Sequence, residues 1–420
     1  MIIFNNFAAI KSIPMGKKAT SFLIYGLSIL LTAFIAVITI IAANSGLSSC
    51  TSDTASFIIL LLPVLILANL LFALYWLLRK RWIICLIPLA AVAGGFPYYG
   101  TIYKWNGKPD TEFSVQKKSE NNIRVLTYNT GNFLNKDNIK CARTLADFLN
   151  SQAIDIACFQ EYSIQGRFKD TVARIMGDFP YAVSNADNEQ MKVAVYSRYP
   201  ILESSYVQYP ASTYGYIAST IALCDRKKLE QEIAAALGSL AMPEQSDSAA
   251  FFRRDSITRA VTDSITGASP KIILINTHLQ TTGISAVNRD AALTKSAGGD
   301  IDQAGRARMA VSRLSDSYKM RAQQIESICE LIENAVYPVI LCGDFNDTPL
   351  SYVYDRSATL LTDGFKEGGS GYMYTYKYFK KLLRIDYIFH GAGLRSVRYF
   401  SPDKPFSDHN PVISELERIP

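Results

Sequence analysis

Histidine is scarce in this chain, which has three among its 420 residues. The seven cysteines include no C-x-x-C pair, which argues against a cysteine-based metal site and favours buried free thiols. Charged residues are also scarce in residues 1–100, which contain six Lys and Arg residues and one acidic residue. Residues 101–420 contain the other 37 basic and 36 acidic residues. The later part therefore lacks the basic excess of a protein that binds nucleic acid over a broad surface.

Three long apolar runs occupy the charge-poor beginning of the chain. They cover 21–43, 56–78 and 82–99, with lengths of 23, 23 and 18 residues, and contain no charged side chain. About 20 apolar residues cross a bilayer core, so we expect residues 1–105 to be a membrane anchor with three transmembrane helices. The third run is the shortest and contains Pro88, and a re-entrant or interfacial segment is the alternative there.

Lysine and arginine flank these runs unevenly. Lys17 and Lys18 precede the first run and Arg79-Lys80-Arg81 separates the second from the third, whereas the loop between the first two carries only Asp53. The positive-inside rule puts the amino terminus in the cytoplasm, so we expect a multi-pass protein of the cell (inner) membrane with its later domain on the extracytoplasmic side. Cleavage of the first run as a signal peptide is the less favoured alternative, because the run exceeds the length of a signal core.

The chain after residue 122 alternates between strand-like and helix-like patterns. Short apolar segments such as 123–128 and 271–277 are typical of buried strands, whereas 137–150 has helical spacing. We expect a linker at 106–121 and then one α/β domain over 122–420 with packed sheets. The polar stretch 225–270 separates two strands and is interpreted as an insertion of two helices.

Polar side chains cluster at the ends of these predicted strands. In chain order they are Asn129, Glu161, His278, Asp344, Asn346, Asp386, Asp408 and His409. Each could be a turn residue or a helix cap when taken singly. Loops at the strand ends of layered α/β folds converge into one site, so a common pocket explains the whole set more economically. His390, which precedes Gly391, is interpreted as a turn or surface residue outside this site.

The ordered motifs resemble the endonuclease/exonuclease/phosphatase superfamily, the deoxyribonuclease-I-like proteins. The matching strings are Leu126-Thr127-Tyr128-Asn129, Phe159-Gln160-Glu161, Asn276-Thr277-His278-Leu279, Gly343-Asp344-Phe345-Asn346-Asp347-Thr348-Pro349, Arg384-Ile385-Asp386-Tyr387-Ile388-Phe389 and Ser407-Asp408-His409-Asn410-Pro411-Val412. With the strands that carry them they span residues 123–415, which is most of the predicted domain.

The resemblance implies a four-layered α/β sandwich, with two packed β-sheets flanked by helices, and a Mg²⁺-dependent phosphoester hydrolase, with Mn²⁺ as an alternative metal. Glu161 would be the main metal ligand, and Asn129 and Asp408 would complete or orient the metal and its waters. Few carboxylates and retained water are what Mg²⁺ prefers.

The resemblance also implies catalytic roles for the other motif residues. His278 would contact phosphate, Asn346 would donate to a developing phosphorane oxygen, and Asp344 would orient or deprotonate water. His409, oriented by Asp386, would handle a proton or a phosphate oxygen. The general base is either Asp344 or the His409 and Asp386 pair, and the sequence leaves this choice open.

The expected reaction is in-line attack of an activated water on a phosphodiester of a phospholipid or a nucleic acid. A phosphomonoesterase acting on sugar or inositol phosphates, or another small phosphate ester, is the alternative enzyme. A membrane-anchored binding protein without catalysis is the alternative outside the enzymes, and it is disfavoured because none of the matched carboxylates or histidines is missing. No protein partner is expected.

Overall fold

The computed structural model describes most of the chain, and the features given below belong to the described residues. The described residues are 17–44, 62–105, 118–119, 121–131, 138–162, 176–185, 193–224, 226–238, 248–283, 302–378, 381–405 and 407–419. Almost all of the expected linker at 106–121 lies outside them. The chain forms two compact units, of which the first comprises residues 1–48 and 54–97 and the second residues 49–53 and 98–420.

Apolar helices form the first unit. They are α1 (Lys17–Asn44), α2 (Leu62–Leu78) and α3 (Trp82–Gly94), and α4 (Phe96–Ile102) begins at its end. Within the described residues, Ser21–Ala42 in α1 is long and apolar enough to cross a membrane, with a mean hydropathy of 2.5, whereas α2 and α3 are shorter. Residues 56–61 of the second expected span lie outside the described residues.

The third expected span, 82–99, is divided instead of forming one helix. Helix α3 ends at Gly94, and α4 starts two residues later at Phe96. Pro97 is compatible with the division, because a residue without a backbone N–H fits the first turn of a new helix and weakens the continuation of an existing one, although α3 contains Pro88 in its interior.

The helices of the first unit carry polar side chains inside and apolar ones outside. Asn69 Nδ2 donates to Thr39 Oγ1 over 2.6 Å, and Trp76 Nε1 donates to Thr32 Oγ1 over 2.8 Å. These four side chains are fully buried, whereas large apolar side chains of all three helices are exposed. The described helices thus expose many large apolar side chains and enclose polar contacts together with small apolar side chains such as Ala73 and Ala91.

Two six-stranded mixed sheets form the centre of the second unit. The first sheet has the order β10-β12-β9-β8-β7-β6 and the second β13-β14-β2-β3-β5-β4, while β1 pairs with β11. The strands are β1 (Tyr103–Lys104), β2 (Asn122–Asn129), β3 (Ile156–Gln160), β4 (Tyr181–Ser184), β5 (Val193–Ser197), β6 (Ile201–Gln208), β7 (Gly215–Ala222), β8 (Lys271–His278), β9 (Val339–Asp344), β10 (Thr362–Asp363), β11 (Gly371–Tyr372), β12 (Asp386–His390), β13 (Leu394–Phe400) and β14 (Val412–Arg418).

Helices cover the outer face of each sheet, so the unit has the four layers that the sequence predicts. The described helices after α4 are α5 (Asn138–Ser151), α6 (Arg226–Leu237), α7 (Ser248–Ala268), α8 (Gln303–Glu333), α9 (Tyr352–Leu360) and α10 (Gly364–Gly368), of which α10 contributes Phe365 to the core between the sheets. Helix α5 packs on the second sheet through Leu145 and Leu149, and α8 packs on the first through Ile325 and Ile328. The stretch 225–270 contains α6 and α7; Pro243 and Glu244 between them lie outside the described residues.

Aliphatic side chains from both sheets fill the space between them. Val125 and Ile156 of the second sheet share one buried cluster with Ile217, Leu274 and Ile340 of the first. The central parallel pairs, β2 with β3 and β8 with β9, are buried on both faces, which explains their almost continuous apolar sequences.

A polar bridge joins the two sheets next to their functional end. Gln160 Nε2 donates to Asn276 Oδ1 over 2.6 Å, and Asn276 Nδ2 donates to the carbonyl oxygens of Phe159 and Ala194. Both side chains are fully buried. Because an unpaired amide would be costly there, the bridge holds the end of β8 in a fixed position against β3.

Gly343 occupies a place in β9 that no side chain could share. Its φ is 142°, and a Cβ built on it would lie 1.9 Å from the carbonyl oxygen of Thr277 on β8. The close approach lets β8 and β9 run in tight register immediately before His278 and Asp344.

The substitution Gly343→Ala is expected to destabilise the second unit by about 2–4 kcal/mol, because it combines a forced backbone conformation with overpacking. Thermal unfolding of the full chain in detergent measures this. Gly267→Ala is the matched control, since that position in α7 has no atom within 4 Å of the added Cβ. An equal melting temperature for Gly343→Ala and the wild type would contradict the prediction.

Candidate active site

Strand ends from both sheets meet at one end of the sandwich. In the first sheet His278 pairs with Asp344, and Asp344 pairs with Asp386, so the three residues lie in one row across β8, β9 and β12. In the second sheet Asn129 ends β2 beside Gln160, and Glu161 follows. The row of the first sheet and the ends of β2 and β3 thus carry the polar residues that the sequence singles out.

Glu161 and Asn129 connect the two sheets at this end. Asn129 Nδ2 donates to Asp344 Oδ2 over 2.8 Å and to Glu161 Oε1 over 3.3 Å, while its Oδ1 accepts from the backbone N–H of Gly131. Asn129 therefore holds two carboxylates in place through its amide nitrogen. Glu161 has a φ of 48°, a conformation that is strained for a residue with a side chain and is often found at functional sites.

Asp386 orients His409. The ring Nδ1 of His409 lies 2.9 Å from Asp386 Oδ2, and its Nε2 lies 3.8 Å from Asp344 Oδ2. Burial alone would lower the pKa of His409, but the carboxylates of Asp386 and Asp344 outweigh it and raise the pKa to about 10. His409 is therefore an imidazolium near neutral pH, held between two carboxylates.

Asp344 is, like Asp386, an almost completely buried carboxylate of the site. Burial and the negative charge of Asp386 raise its pKa to about 6, against the opposing effects of His409, His278 and the Asn129 amide. A carboxylate with a pKa in this range accepts a proton near neutral pH more readily than an exposed one.

His278 points two ring nitrogens into the site without a hydrogen-bond partner among the described residues. Its Nε2 lies 3.6 Å from Asp344 Oδ2 and 3.9 Å from Glu161 Oε1, and the ring packs edge-on against Tyr214. Burial lowers the pKa of His278 to about 4, so the ring is neutral at pH 7. A buried, neutral ring whose nitrogens lack partners can form hydrogen bonds with a polar group of a bound ligand.

Asn346 lies in a tight turn that begins at Asp344. Its backbone N–H donates to Asp344 Oδ1 over 2.8 Å, its φ is 51°, and its Nδ2 donates to the carbonyl oxygen of Leu279 over 3.0 Å. The left-handed conformation suits asparagine better than most residues. One amide proton remains for a further hydrogen bond.

Asp408 lies next to His409 and is half-buried. Its Oδ1 accepts from the Ser407 hydroxyl over 3.1 Å. The pKa of Glu161 is raised chiefly by burial, and the charge of Asp408 adds to this increase. Glu161 and Asp408 are therefore close enough for their charges to interact.

Two aromatic contacts of the site have no signal in the sequence. Tyr214 packs against His278 with a centroid distance of 4.6 Å, and Tyr376 packs against His409 at 5.0 Å. Both come from connecting segments that are remote in sequence from the histidines. The chain has 24 tyrosines, so nothing local distinguishes these two.

The interpretation of His390 as a turn or surface residue is wrong. His390 is the last residue of β12 and is buried, and its Nε2 lies 3.0 Å from Glu367 Oε2. Glu367 also accepts from the backbone N–H of Ser396. The strand simply extends one residue further than its apolar pattern indicates, and His390 lies at the end of β12 opposite to Asp386.

Three of the described acidic and histidine side chains, Asp344, Asp386 and His409, have ligand atoms within 4.8 Å of one another. The hydrogen bond between Asp386 and His409 already explains that geometry. Glu161 has a side chain that is 25% exposed, whereas Asp344 is almost completely buried. Glu161, like the half-buried Asp408, is therefore more accessible to solvent than Asp344.

The fold and this group of residues define an α/β sandwich whose candidate site lies at the strand ends. The family described as Endonuclease/Exonuclease/phosphatase matches residues 126–409, and the chain belongs to this family. Members of the family generally hydrolyse phosphoester bonds. A second match, over residues 21–102, is described as a domain of unknown function. No curated protein matches the chain.

Several solved structures are similar to the chain at low identity. An endonuclease/exonuclease/phosphatase from Bacteroides vulgatus is 16% identical, with 71% of this chain and 99% of that one covered and a TM-score of 0.44. The human Nocturnin catalytic domain with bound sulfate is 16% identical, with 72% and 97% covered and a TM-score of 0.41. D. rerio TDP2 complexed with a single-strand DNA product is 12% identical, with 70% and 99% covered and a TM-score of 0.43.

Proposed function

We propose that the protein is a membrane-anchored, Mg²⁺-dependent hydrolase that cleaves phosphodiesters, with phospholipid as the preferred substrate and nucleic acid as the second. The observation that carries the proposal is the arrangement around Asp344, whose carboxylate lies within 4 Å of Asn129, His278 and His409. Such a group of compatible acids, bases and donors is costly to bury unless it is used.

The donor set fits a hard divalent cation. Glu161 offers a partly exposed carboxylate, and Asp408 offers a second one, whose charge raises the pKa of Glu161. The Asn129 amide holds Glu161 in position through a hydrogen bond. Oxygen ligands with few carboxylates and room for water suit Mg²⁺, and Mn²⁺ accepts the same set. When bound there, the ion would supply positive charge to a phosphate oxygen. Glu161 and Asp408 would hold it, and Asn129 would keep Glu161 in position.

The protein's own groups divide the remaining tasks. Asp344 would orient the attacking water and accept its proton, because it is the enclosed carboxylate with the raised pKa. The imidazolium of His409 and the neutral ring of His278 would donate to phosphate oxygens, and Asn346 would donate its remaining amide proton to the oxygen on which charge develops. This assignment favours Asp344 as the general base.

The first unit supports placement at a membrane. Its polar contacts, Asn69 with Thr39 and Trp76 with Thr32, lie inside, and its apolar surface lies outside. The flanking Lys and Arg residues favour a multi-pass anchor with the hydrolase domain on the extracytoplasmic side. The nearly balanced charge of residues 101–420 disfavours tight binding of nucleic acid and leaves phospholipid as the preferred substrate.

An activity assay of the full chain in detergent tests the proposed function. With Mg²⁺ we expect turnover of bis-p-nitrophenyl phosphate and of phospholipids, loss of activity on chelation with EDTA, and recovery when Mg²⁺ or Mn²⁺ is added back. Single- and double-stranded DNA, RNA and phosphomonoesters are assayed in parallel. DNA cleavage without lipid cleavage would overturn the lipid preference, and equal activity with and without EDTA would overturn the metal requirement.

A further inference from the structure

Four of the five exposed aromatic side chains in the described part of the second unit lie together on its surface. With Leu382 (63% exposed) they form what we name the aromatic ribbon: Tyr103 (40%), Trp105 (88%), Tyr372 (41%) and Tyr378 (60%). Among the described residues of 98–420, one further aromatic side chain, Tyr337, is comparably exposed, and it lies just before β9, at the opposite end of that strand from Asp344.

Direct contacts join the aromatic ribbon into one surface. Tyr103 of β1 pairs with Tyr372 of β11, and the rings of Tyr103 and Trp105 are 4.8 Å apart. The Tyr372 hydroxyl donates to the carbonyl oxygen of Leu382 over 2.7 Å, which closes the loop between them. The surface therefore combines the residues that directly follow α4 with the loop that leads into β12.

The aromatic ribbon borders the active site. Tyr378 packs edge-on against Tyr376 at 5.5 Å, and Tyr376 packs against the ring of His409 at 5.0 Å. The backbone N–H of Lys377 donates to the carbonyl oxygen of Asp408 over 2.9 Å. A molecule that binds Tyr378 is therefore connected to the ring of His409 through a single intervening side chain, that of Tyr376.

The aromatic ribbon is firmly attached to the sheet beneath it. Arg384 is buried, donates to the carbonyl oxygen of Thr101 over 2.8 Å and forms an ion pair with Asp363 at 2.7 Å. Thr375 Oγ1 accepts from the backbone N–H groups of Ile385 and Asp386. Since removing a partner of a buried ion pair is strongly destabilising, these contacts keep the ribbon in place without help from its exposed side chains.

The chemistry of this surface matches the headgroup region of a bilayer. Lys104 lies between Tyr103 and Trp105 in the sequence, and Lys377 and Lys381 lie in the loop of the ribbon. One acid, Asp403, lies within 4 Å of both loop lysines, at 3.9 Å and 3.0 Å, so the loop retains a net positive charge; the buried Arg384 is paired with Asp363 and does not contribute. Tyrosine and tryptophan beside lysine are the side chains that collect at membrane interfaces, where the rings enter the headgroup layer and the ammonium groups meet anionic lipid. In the chain, the ribbon also begins directly after the apolar region 21–102.

We infer that the aromatic ribbon docks on the surface of a bilayer that contains anionic lipid, and that the active site beside it acts on phosphoesters presented at that surface. The docking stands on the exposed side chains and their charges. The substrate class rests in addition on the proposed function. A protein partner or a second copy on the same surface is an alternative occupant that the tests separate.

Fluorescence quenching tests the docking without requiring activity. The full chain is placed in lipid nanodiscs of phosphatidylcholine and phosphatidylglycerol, with bimane attached at Tyr378→Cys in a Cys50→Ser and Cys141→Ser background, since the other five cysteines are buried. We expect nitroxide-bearing lipids to quench this label strongly. The matched control is Val336→Cys, an exposed apolar position before β9, where we expect little quenching. Equal quenching at both positions, or shielding of the Tyr378→Cys label in the absence of lipid, would overturn the docking.

A substrate comparison tests the link to catalysis. The double variant Tyr378→Ala and Leu382→Ala is expected to lower turnover of phospholipid in vesicles by about tenfold or more, since two apolar side chains lose their burial. Turnover of the soluble bis-p-nitrophenyl phosphate should stay within about twofold of the wild type, because neither residue touches the catalytic groups. Tyr337→Ala, the matched aromatic control, should change neither rate.

The outcomes separate the two proposals. Equal losses on the vesicle and soluble substrates, or no loss on either, would overturn the role of the aromatic ribbon in presenting lipid. A wild-type protein that hydrolyses no phosphoester would overturn the proposed function, while the quenching experiment would still decide whether the ribbon contacts the bilayer.

Discussion

Replacing Glu161 with Gln is expected to lower turnover by about a hundredfold or more while the protein remains folded. The amide keeps the size of the side chain but removes the charge of a partly exposed carboxylate of the site. It also replaces an acceptor for Asn129 Nδ2 by a group with both donor and acceptor atoms. We therefore expect the concentration of Mg²⁺ required for half-maximal activity to rise as well.

Steady-state assays over a range of Mg²⁺ concentrations, together with thermal unfolding, measure these effects. Glu203→Gln is the matched control, because Glu203 is exposed on the edge strand β6 and should have no influence on turnover. A purified Glu161→Gln protein with near-normal turnover and unchanged Mg²⁺ dependence would show that the site is assigned to the wrong residues.

Asp386→Asn is expected to reduce turnover by about 10²–10⁴-fold and to shift the pH profile. In the wild type we expect activity to rise as Asp344 loses its proton at a pKa of about 6 and to fall as His409 loses its proton at about 10. Asp386 raises both pKa values. Removing its charge should therefore move both limbs of the profile to lower pH.

The direction of the alkaline limb also distinguishes the two candidate general bases. If Asp344 is the base and His409 the proton donor, activity falls above the pKa of His409. If His409 is the base instead, activity keeps rising toward that pKa, because only the neutral ring accepts a proton. A profile that rises up to about pH 10 would contradict our assignment.

Combining the substitutions tests whether Asp386 and His409 act as a unit. The double variant Asp386→Asn and His409→Ala should be little slower than the slower single variant, since residues of one unit have non-additive effects. Glu367→Gln is the matched control, because it alters the carboxylate partner of the other buried histidine, His390, outside the site. Fully additive losses, or an equal shift of the pH profile by Glu367→Gln, would contradict the pairing.

The sandwich and its site could be predicted largely because both depend on local patterns. Strands buried on both faces give nearly continuous apolar segments, and the polar residues that follow them mark the strand ends. The eight motif residues from Asn129 to His409 lie at the expected ends of those strands in the structure. Their roles remain proposals, because position at a strand end does not distinguish a metal ligand from a hydrogen-bonding group.

Features that depend on long-range contacts could not be predicted in the same way. Tyr214 and Tyr376 reach the histidines from connecting segments, and no periodic pattern marks them. The sequence names Asn129 as a site residue, but only the structure orients its amide nitrogen toward Glu161 and Asp344. The break of the third apolar run at Gly95 has a signal in the sequence, because Pro97 follows it. The signal alone does not predict the break, since a proline can either end a helix or be accommodated within it.

The row of His278, Asp344 and Asp386 depends on the register of three neighbouring strands and not on the connecting loops. A shift of one residue in strand pairing would turn these side chains to the opposite face, so the whole buried sheet maintains their alignment. The loop from Tyr372 to Leu382 contributes no member of that row. Substitutions in this loop away from Thr375 and Tyr376, which contact Asp386 and His409, would therefore change the surface beside the site and leave the row itself intact.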